Sequence, residues 1–125
     1  MRKRGWIFIP ICVAVLILIL FKTVFFIGYV PTESMEPTLK KGSIILGVRC
    51  FDELNVGDII VFEHDGQLLV KRIAATEGDT VEVNGENLIV PKDSFFVLGD
   101  NANESYDSRY WTEPFVGRQT IRAKL

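Results

Sequence analysis

The sequence predicts a single N-terminal transmembrane helix followed by a small all-β domain of curled antiparallel sheets. Three observations lead to that expectation. Residues 5 to 30, GWIFIPICVAVLILILFKTVFFIGYV, contain one charge, Lys22. After residue 39 no stretch sustains a helical apolar period. Short β-branched runs take its place, separated by turns that contain glycine.

About 20 apolar residues in a helix cross the hydrocarbon of a bilayer, so residues 5–29 are expected to form a membrane anchor. Lys22 falls near one end, where its stem can reach the headgroups. Pro10 falls in the first turns, where a missing N–H does least harm. A cleavable signal peptide is the competing reading. The apolar stretch is too long for one, and Phe26-Ile27-Gly28-Tyr29-Val30-Pro31 offers no small-x-small cleavage site.

Charge is divided unevenly. The first 22 residues carry Arg2, Lys3, Arg4 and Lys22 and no acid, whereas residues 31–125 hold 10 basic and 16 acidic side chains. The positive-inside rule then places residues 1–4 in the cytoplasm and residues 30–125 outside it. The acidic balance of the soluble part argues against a nucleic-acid partner. Cys12 lies in the anchor and Cys50 in the domain, so no internal disulfide is expected. With one histidine and no ligand cluster at zinc spacing, no metal or other cofactor is expected.

The strands follow in order. Residues 43–48 and 58–62 are short, β-branched, and preceded by Gly42 and Gly57. Asp65-Gly66 predicts a hairpin turn between residues 59–62 and 68–73. Asn84-Gly85, between residues 80–83 and 88–90, predicts a second, because both turn residues tolerate positive φ. Residues 94–98 (SFFVL) give a further strand that enters the turn Gly99-Asp100-Asn101. These strands are expected to close around one small core.

Two residues stand out chemically. Ser34 sits between Pro31 and Pro37 just after the anchor, and Lys71 sits in the apolar run LLVKRI. A serine hydroxyl becomes a nucleophile only with a base to take its proton, and a lysine in an apolar pocket can be that base. Burial disfavours the ammonium form and so supplies the neutral amine. On a strand Lys71 shares a face with Leu69 and Ile73. Taken alone, the strand reads more readily as an edge strand with a surface lysine. His64, beside the Asp65-Gly66 turn, reads as a solvated hairpin-tip residue rather than as the base.

The segments PTESMEPTL (31–39), GDIIVF (57–62), VKRIAATEGD (70–79) and GDNANESYDSR (99–109) resemble the successive boxes of the type I signal peptidases, in the family's order and behind a similar anchor. The resemblance implies a β-rich fold with a Ser–Lys dyad that cuts signal peptides from exported preproteins after small residues. By position it implies Ser34 as nucleophile, Lys71 as general base, and the Ser34 N–H with Thr32 as oxyanion donors. Ser105 matches the serine that orients the lysine, and Asp107 and Arg109 match a supporting ion pair. Pro31 and Met35 match the substrate-binding segment, Met35 lining the small P1 pocket. Two departures are visible: Ala75 stands where the third box usually has glycine, which is expected to shift a turn, and Thr32-Glu33 replaces a smaller pair. Short spacing between boxes is similar to the compact form of the family.

The partners so implied are preproteins and the lipid bilayer, at a bacterial cytoplasmic membrane. Two alternatives remain at this level: another Ser–Lys protease such as a self-cleaving regulator, and a non-catalytic scaffold. Asn103-Glu104-Ser105 matches a glycosylation sequon, which three residues meet by chance.

Overall fold

A computed structural model of the chain describes residues 5–125. The basic N-terminus expected in the cytoplasm, residues 1–4, lies outside the described residues. Helix α1 spans Gly5–Val24, and its 20 residues reach about 30 Å at about 1.5 Å each, the thickness of a bilayer core. Among the described residues none buries any part of this helix to the level of a core residue. A helix that is apolar all round and bare of protein is covered by lipid, so α1 is the membrane-spanning element.

The helix stops five residues short of the expected anchor end at residue 29, which corrects that boundary. Phe25–Tyr29 forms strand β1 and pairs antiparallel with β2 (Ile44–Val48), from Phe25 opposite Val48 to Tyr29 opposite Ile44. Arg49 secures the change of structure. Its backbone N–H donates to the Val24 carbonyl at 2.7 Å and its Nε donates to the Phe25 carbonyl at 3.0 Å. A helix end leaves orphan carbonyls, and Arg49 satisfies one of them. Hydropathy could not locate this boundary, because the aromatic and β-branched residues of FFIGY suit a strand and a membrane equally.

The remaining strands are β3 (Ile59–His64), β4 (Gln67–Thr76), β5 (Thr80–Val83), β6 (Glu86–Ile89), β7 (Ser94–Leu98), β8 (Val116–Gly117) and β9 (Ile121–Lys124). Seven of the nine form one antiparallel sheet in the order β1-β2-β9-β3-β4-β7-β8, and β5 and β6 form a separate hairpin. Both expected turns are present, with positive φ at Asp65 and Gly66 and at Asn84 and Gly85. The strand β9 was not expected. Only Ile121 and Ala123 face inward, and the intervening charges of Arg122 and Lys124 mask a strand that inserts between β2 and β3.

Strand β4 carries an irregularity at Ala74: Ile73 pairs with Val97, and Ala75 already pairs with Phe96. A bulge reverses the alternation of faces. Ile73 therefore enters one cluster with Ile60, Phe62, Val97 and Trp111, while Ala75 enters another with Val83, Val90 and Phe96. Ala75, at the position where the family usually has glycine, thus lies inside strand β4 with its methyl group packed in that second cluster. A further cluster, Val30, Ile45, Val61 and Ala123, fills the opposite side of β3. The single small core expected from sequence is three clusters, because a curled sheet buries both faces of its central strands.

His64 also departs from expectation. Its ring is half-buried and stacks on Trp111, with centroids 4.0 Å apart and planes 21° from parallel. The ring is a packing element. Phe62 meets the same indole edge-on at 6.0 Å and is fully buried. Replacing Phe62 with alanine is expected to lower stability by about 3–5 kcal/mol, seen as an earlier denaturant midpoint in the detergent-solubilised full chain.

Candidate active site

Ser34 lies in the coil that follows β1 and is 5% exposed. The Thr32 hydroxyl donates to Ser34 Oγ at 3.1 Å, and the Ser34 backbone N–H points toward Thr32 Oγ1 at a longer 3.5 Å. The turn after β7 holds this coil in place. Asn101 donates its backbone N–H to the Ser34 carbonyl at 2.8 Å and its side-chain amide to the Glu33 carbonyl at 3.1 Å.

Lys71 sits on β4 opposite Ile60 and is 4% exposed. Its Nζ donates to Ser105 Oγ at 3.1 Å, and the Ser105 hydroxyl donates to Asp107 Oδ2 at 2.7 Å. The Ser105 proton is committed to the carboxylate, so its lone pair faces the lysine. Asp107 is fully buried, with no exposed surface. It also accepts the Gly99 N–H at 3.0 Å and takes Nε and Nη2 of Arg109 at 2.8 and 3.0 Å. The Asp107 carboxylate is therefore interior, and the half-buried Arg109 covers it from the solvent side.

Opposing effects set the charges here. Burial pushes the Asp107 carboxyl up, but hydrogen bonds from Arg109, the Gly99 N–H and Ser105 outweigh it and hold the group below its ordinary range. Burial pulls Lys71 below the ordinary lysine range; the charge of Asp107 opposes this and the charge of Arg109 assists it. The site thus keeps an ionised acid while easing the nearby lysine toward its neutral form.

Val30, Pro31, Thr32, Ser34, Met35 and Lys71 line one cleft, with Leu68 to Val70 along its side. Its free space is about 40 Å³, far below the roughly 280 Å³ of the neighbouring depression beside Ile27 and Tyr29. All the residues singled out in the sequence converge here: Ser34, Lys71, Thr32, Pro31 and Met35 on the cleft, and Ser105, Asp107 and Arg109 behind the lysine. Ser34 and Lys71 both line the cleft, Ser34 Oγ accepting from the Thr32 hydroxyl and Lys71 Nζ donating to Ser105.

Three supports escaped the sequence reading. Arg72 points to the face opposite Lys71 and grips both oxygens of Asp100 at 2.9 and 2.8 Å. Asp100 in turn accepts the Thr38 hydroxyl at 2.6 Å. This chain ties the strand of Lys71 to the segment of Ser34 through contacts remote in sequence. Gly99 is the third: a Cβ there would lie 2.1 Å from Ser105 Oγ and 2.6 Å from the Ser34 carbonyl oxygen. Only the adjacency of Arg72 to Lys71, and of Asp100 to Gly99, hinted at these roles.

The fold and the cleft define a membrane-anchored β protein that holds a buried serine and a buried lysine on one small cleft. The chain belongs to the family described as signal peptidase, peptidase S26, whose model matches residues 3–90 and 86–125. It is 34% identical over 134 residues to "Signal peptidase I" of Leptolyngbya laminosa, covering 75% of this chain and 66% of that protein. It is 33% identical over 136 residues to "Thylakoidal processing peptidase 1, chloroplastic" of Arabidopsis thaliana, covering 74% and 40%. It is also 26% identical over 146 residues to "Inactive signal peptidase IA" of Staphylococcus aureus (strain N315), covering 87% and 83%. The chain thus spans about two thirds of the first of these relatives and two fifths of the second.

Gly99→Ala is expected to force Ser105 and the Ser34 coil apart. A displacement of about 1 Å at a reacting group can cost about 10²-fold in rate. Labelling of Ser34 by a serine-reactive probe should slow by about that factor, while circular dichroism of the full chain stays close to wild type.

Proposed function

We propose that this chain is a membrane-anchored serine endopeptidase that removes signal peptides from exported preproteins, with Ser34 as nucleophile and Lys71 as general base. The observation that carries it is a buried lysine, held by a Ser105–Asp107 pair, on the same cleft as the serine. Neutral Lys71 takes the Ser34 proton as Oγ attacks the scissile carbonyl. The resulting oxyanion is received by the Ser34 N–H and, as second donor, by the Thr32 hydroxyl, which turns to it from Ser34 Oγ once that oxygen is acylated. Lys71 then protonates the leaving amine, and water releases the acyl-enzyme.

Strand β4 supports an extended substrate. Its pairing with β7 begins only at Arg72, so Gln67–Lys71 has a free edge on the side away from β3. A peptide can add there by backbone pairing. Alternation along that peptide sends P1 to the cleft at Ser34, whose small volume favours alanine, and P3 to the depression beside it between Ile27, Tyr29 and Leu68. The anchor keeps the cleft near the bilayer. The N-terminal basic residues favour a cytoplasmic N-terminus and a domain on the outer face, with a bacterial cytoplasmic membrane as the setting.

Similarity to an "inactive" relative supports a second reading, a non-catalytic subunit. The buried lysine weighs against it, since an interior ammonium without catalytic use is a burden on the fold. Purified wild-type chain in detergent is expected to cut a preprotein bearing an Ala-x-Ala site after the P1 alanine, mapped by mass spectrometry. Ser34→Ala and Lys71→Ala should each lose about 10³-fold or more. Absence of any cut by a folded wild-type chain would favour the non-catalytic reading.

The pH profile tests the base directly. Because burial lowers the Lys71 pKa, kcat/KM should rise with pH along a limb centred below the ordinary lysine value of 10.5. Asp107 raises that pKa, so Asp107→Asn should move the limb to lower pH while reducing the plateau rate. A limb that moves upward would refute the electrostatic assignment.

A further inference from the structure

We propose that the paired rings of Tyr106 and Tyr110 form the subsite for the first residues past the cut, taking an aromatic or aliphatic side chain of the departing chain. This rests on the peptidase reading above and extends it to the leaving side of the scissile bond.

Three depressions follow one another across the domain. The first, beside Ile27 and Tyr29, shares Pro31, Leu68 and Val70 with the cleft that holds Ser34 and Lys71. The third is lined by Asn103, Glu104, Ser105, Tyr106 and Tyr110, the two rings forming its apolar wall. The 3.1 Å hydrogen bond between Lys71 Nζ and Ser105 Oγ joins the second to the third. A peptide whose acyl side fills the first two must present its leaving nitrogen to Lys71. Its onward path then runs over Ser105 and onto the tyrosines.

The tyrosines are built as a contact surface. Tyr106 is 66% exposed and Tyr110 57% exposed, although Ser105, Asp107 and Ser108 between and beside them are buried. The two rings lie 8° from parallel with centroids 6.0 Å apart. Trp111 meets the Tyr106 ring edge-on at 6.5 Å, and the Arg109 guanidinium lies over Tyr110 at 5.1 Å. The Tyr110 N–H donates to the Asp107 carbonyl at 2.9 Å, so the loop itself is fixed. Rings held in advance offer contact area with little entropy left to lose on binding.

The test uses the full chain and three preproteins identical up to the cut, carrying Gly-Gly, Tyr-Gly or Gly-Tyr in the first two positions beyond it. Wild type should favour one tyrosine substrate over the glycine one by about two- to tenfold in kcat/KM, the range that an aromatic pair commonly contributes. The ratio should fall to near one in Tyr106→Ala/Tyr110→Ala and be retained in Tyr106→Phe/Tyr110→Phe. Because the readout is a ratio within one variant, a partial loss of folding leaves it unmoved. An unchanged ratio in the alanine variant overturns the proposal. So does an equal loss on all three substrates confined to lipid vesicles and absent in detergent, which would assign the rings to the membrane surface. If wild type cleaves none of the three, the peptidase reading itself fails, a result distinct from cleavage without preference.

Discussion

The buried carboxylate of Asp107 is the constraint on which the rest of the site depends. A charge with no exposed surface survives only if donors surround it, and five converge here: the Gly99 N–H, the Ser105 hydroxyl, and the backbone N–H, Nε and Nη2 of Arg109. Each of these partners is itself a structural element. Gly99 closes the turn after β7, Ser105 touches Lys71, and Arg109 reaches back to the Ala102 carbonyl at 3.0 Å. Satisfying one carboxylate therefore organises the whole loop from residue 99 to 109. It also directs the Ser105 proton away from Lys71, which leaves the serine able only to accept from the amine.

A second ion pair does for position what the first does for protonation. Arg72 and Asp100 tie the β4 strand to the turn, and Thr38 and Asn101 tie the turn to the Ser34 coil. Lys71 and Arg72 are chain neighbours on opposite faces of one strand, so a single stretch of backbone supplies both the candidate base and its clamp. The missing side chain of Gly99 lets the two systems approach closely enough to share that turn. In the proposed mechanism this means that the backbone of the nucleophile and the strand of the base are held in position before substrate arrives, as preorganisation requires.

The anchor and the cleft are connected almost without a linker. Val24 ends the membrane helix, Phe25 begins a strand of the main sheet, and Val30 and Pro31 already line the cleft. Paired β1 and the hold of Arg49 on the Val24 and Phe25 carbonyls make this a short and stiff connection. The distance from bilayer to candidate nucleophile is then set by one five-residue strand rather than by a flexible tether. Such an arrangement suits substrates that are themselves held in the membrane.

Much of this was legible in the residues alone. The apolar run, the two glycine turns and the β-branched strands all carry local signals: hydropathy, positive φ and period-two patterning. The ordered boxes around Ser34, Lys71 and Ser105 pointed to the family that the comparison with known proteins establishes. The sequence did not reveal where the helix yields to β1, because FFIGY satisfies lipid and sheet alike, nor β9, whose charges hide its two inward residues. It also could not show that Ala74 reverses the faces of β4, that Asp107 is interior, or that Arg72 and Gly99 hold the site together. Those facts depend on which distant segments meet. Local composition encodes propensity and periodicity, whereas burial, ion-pair partners and close backbone approach exist only once the sheet has closed.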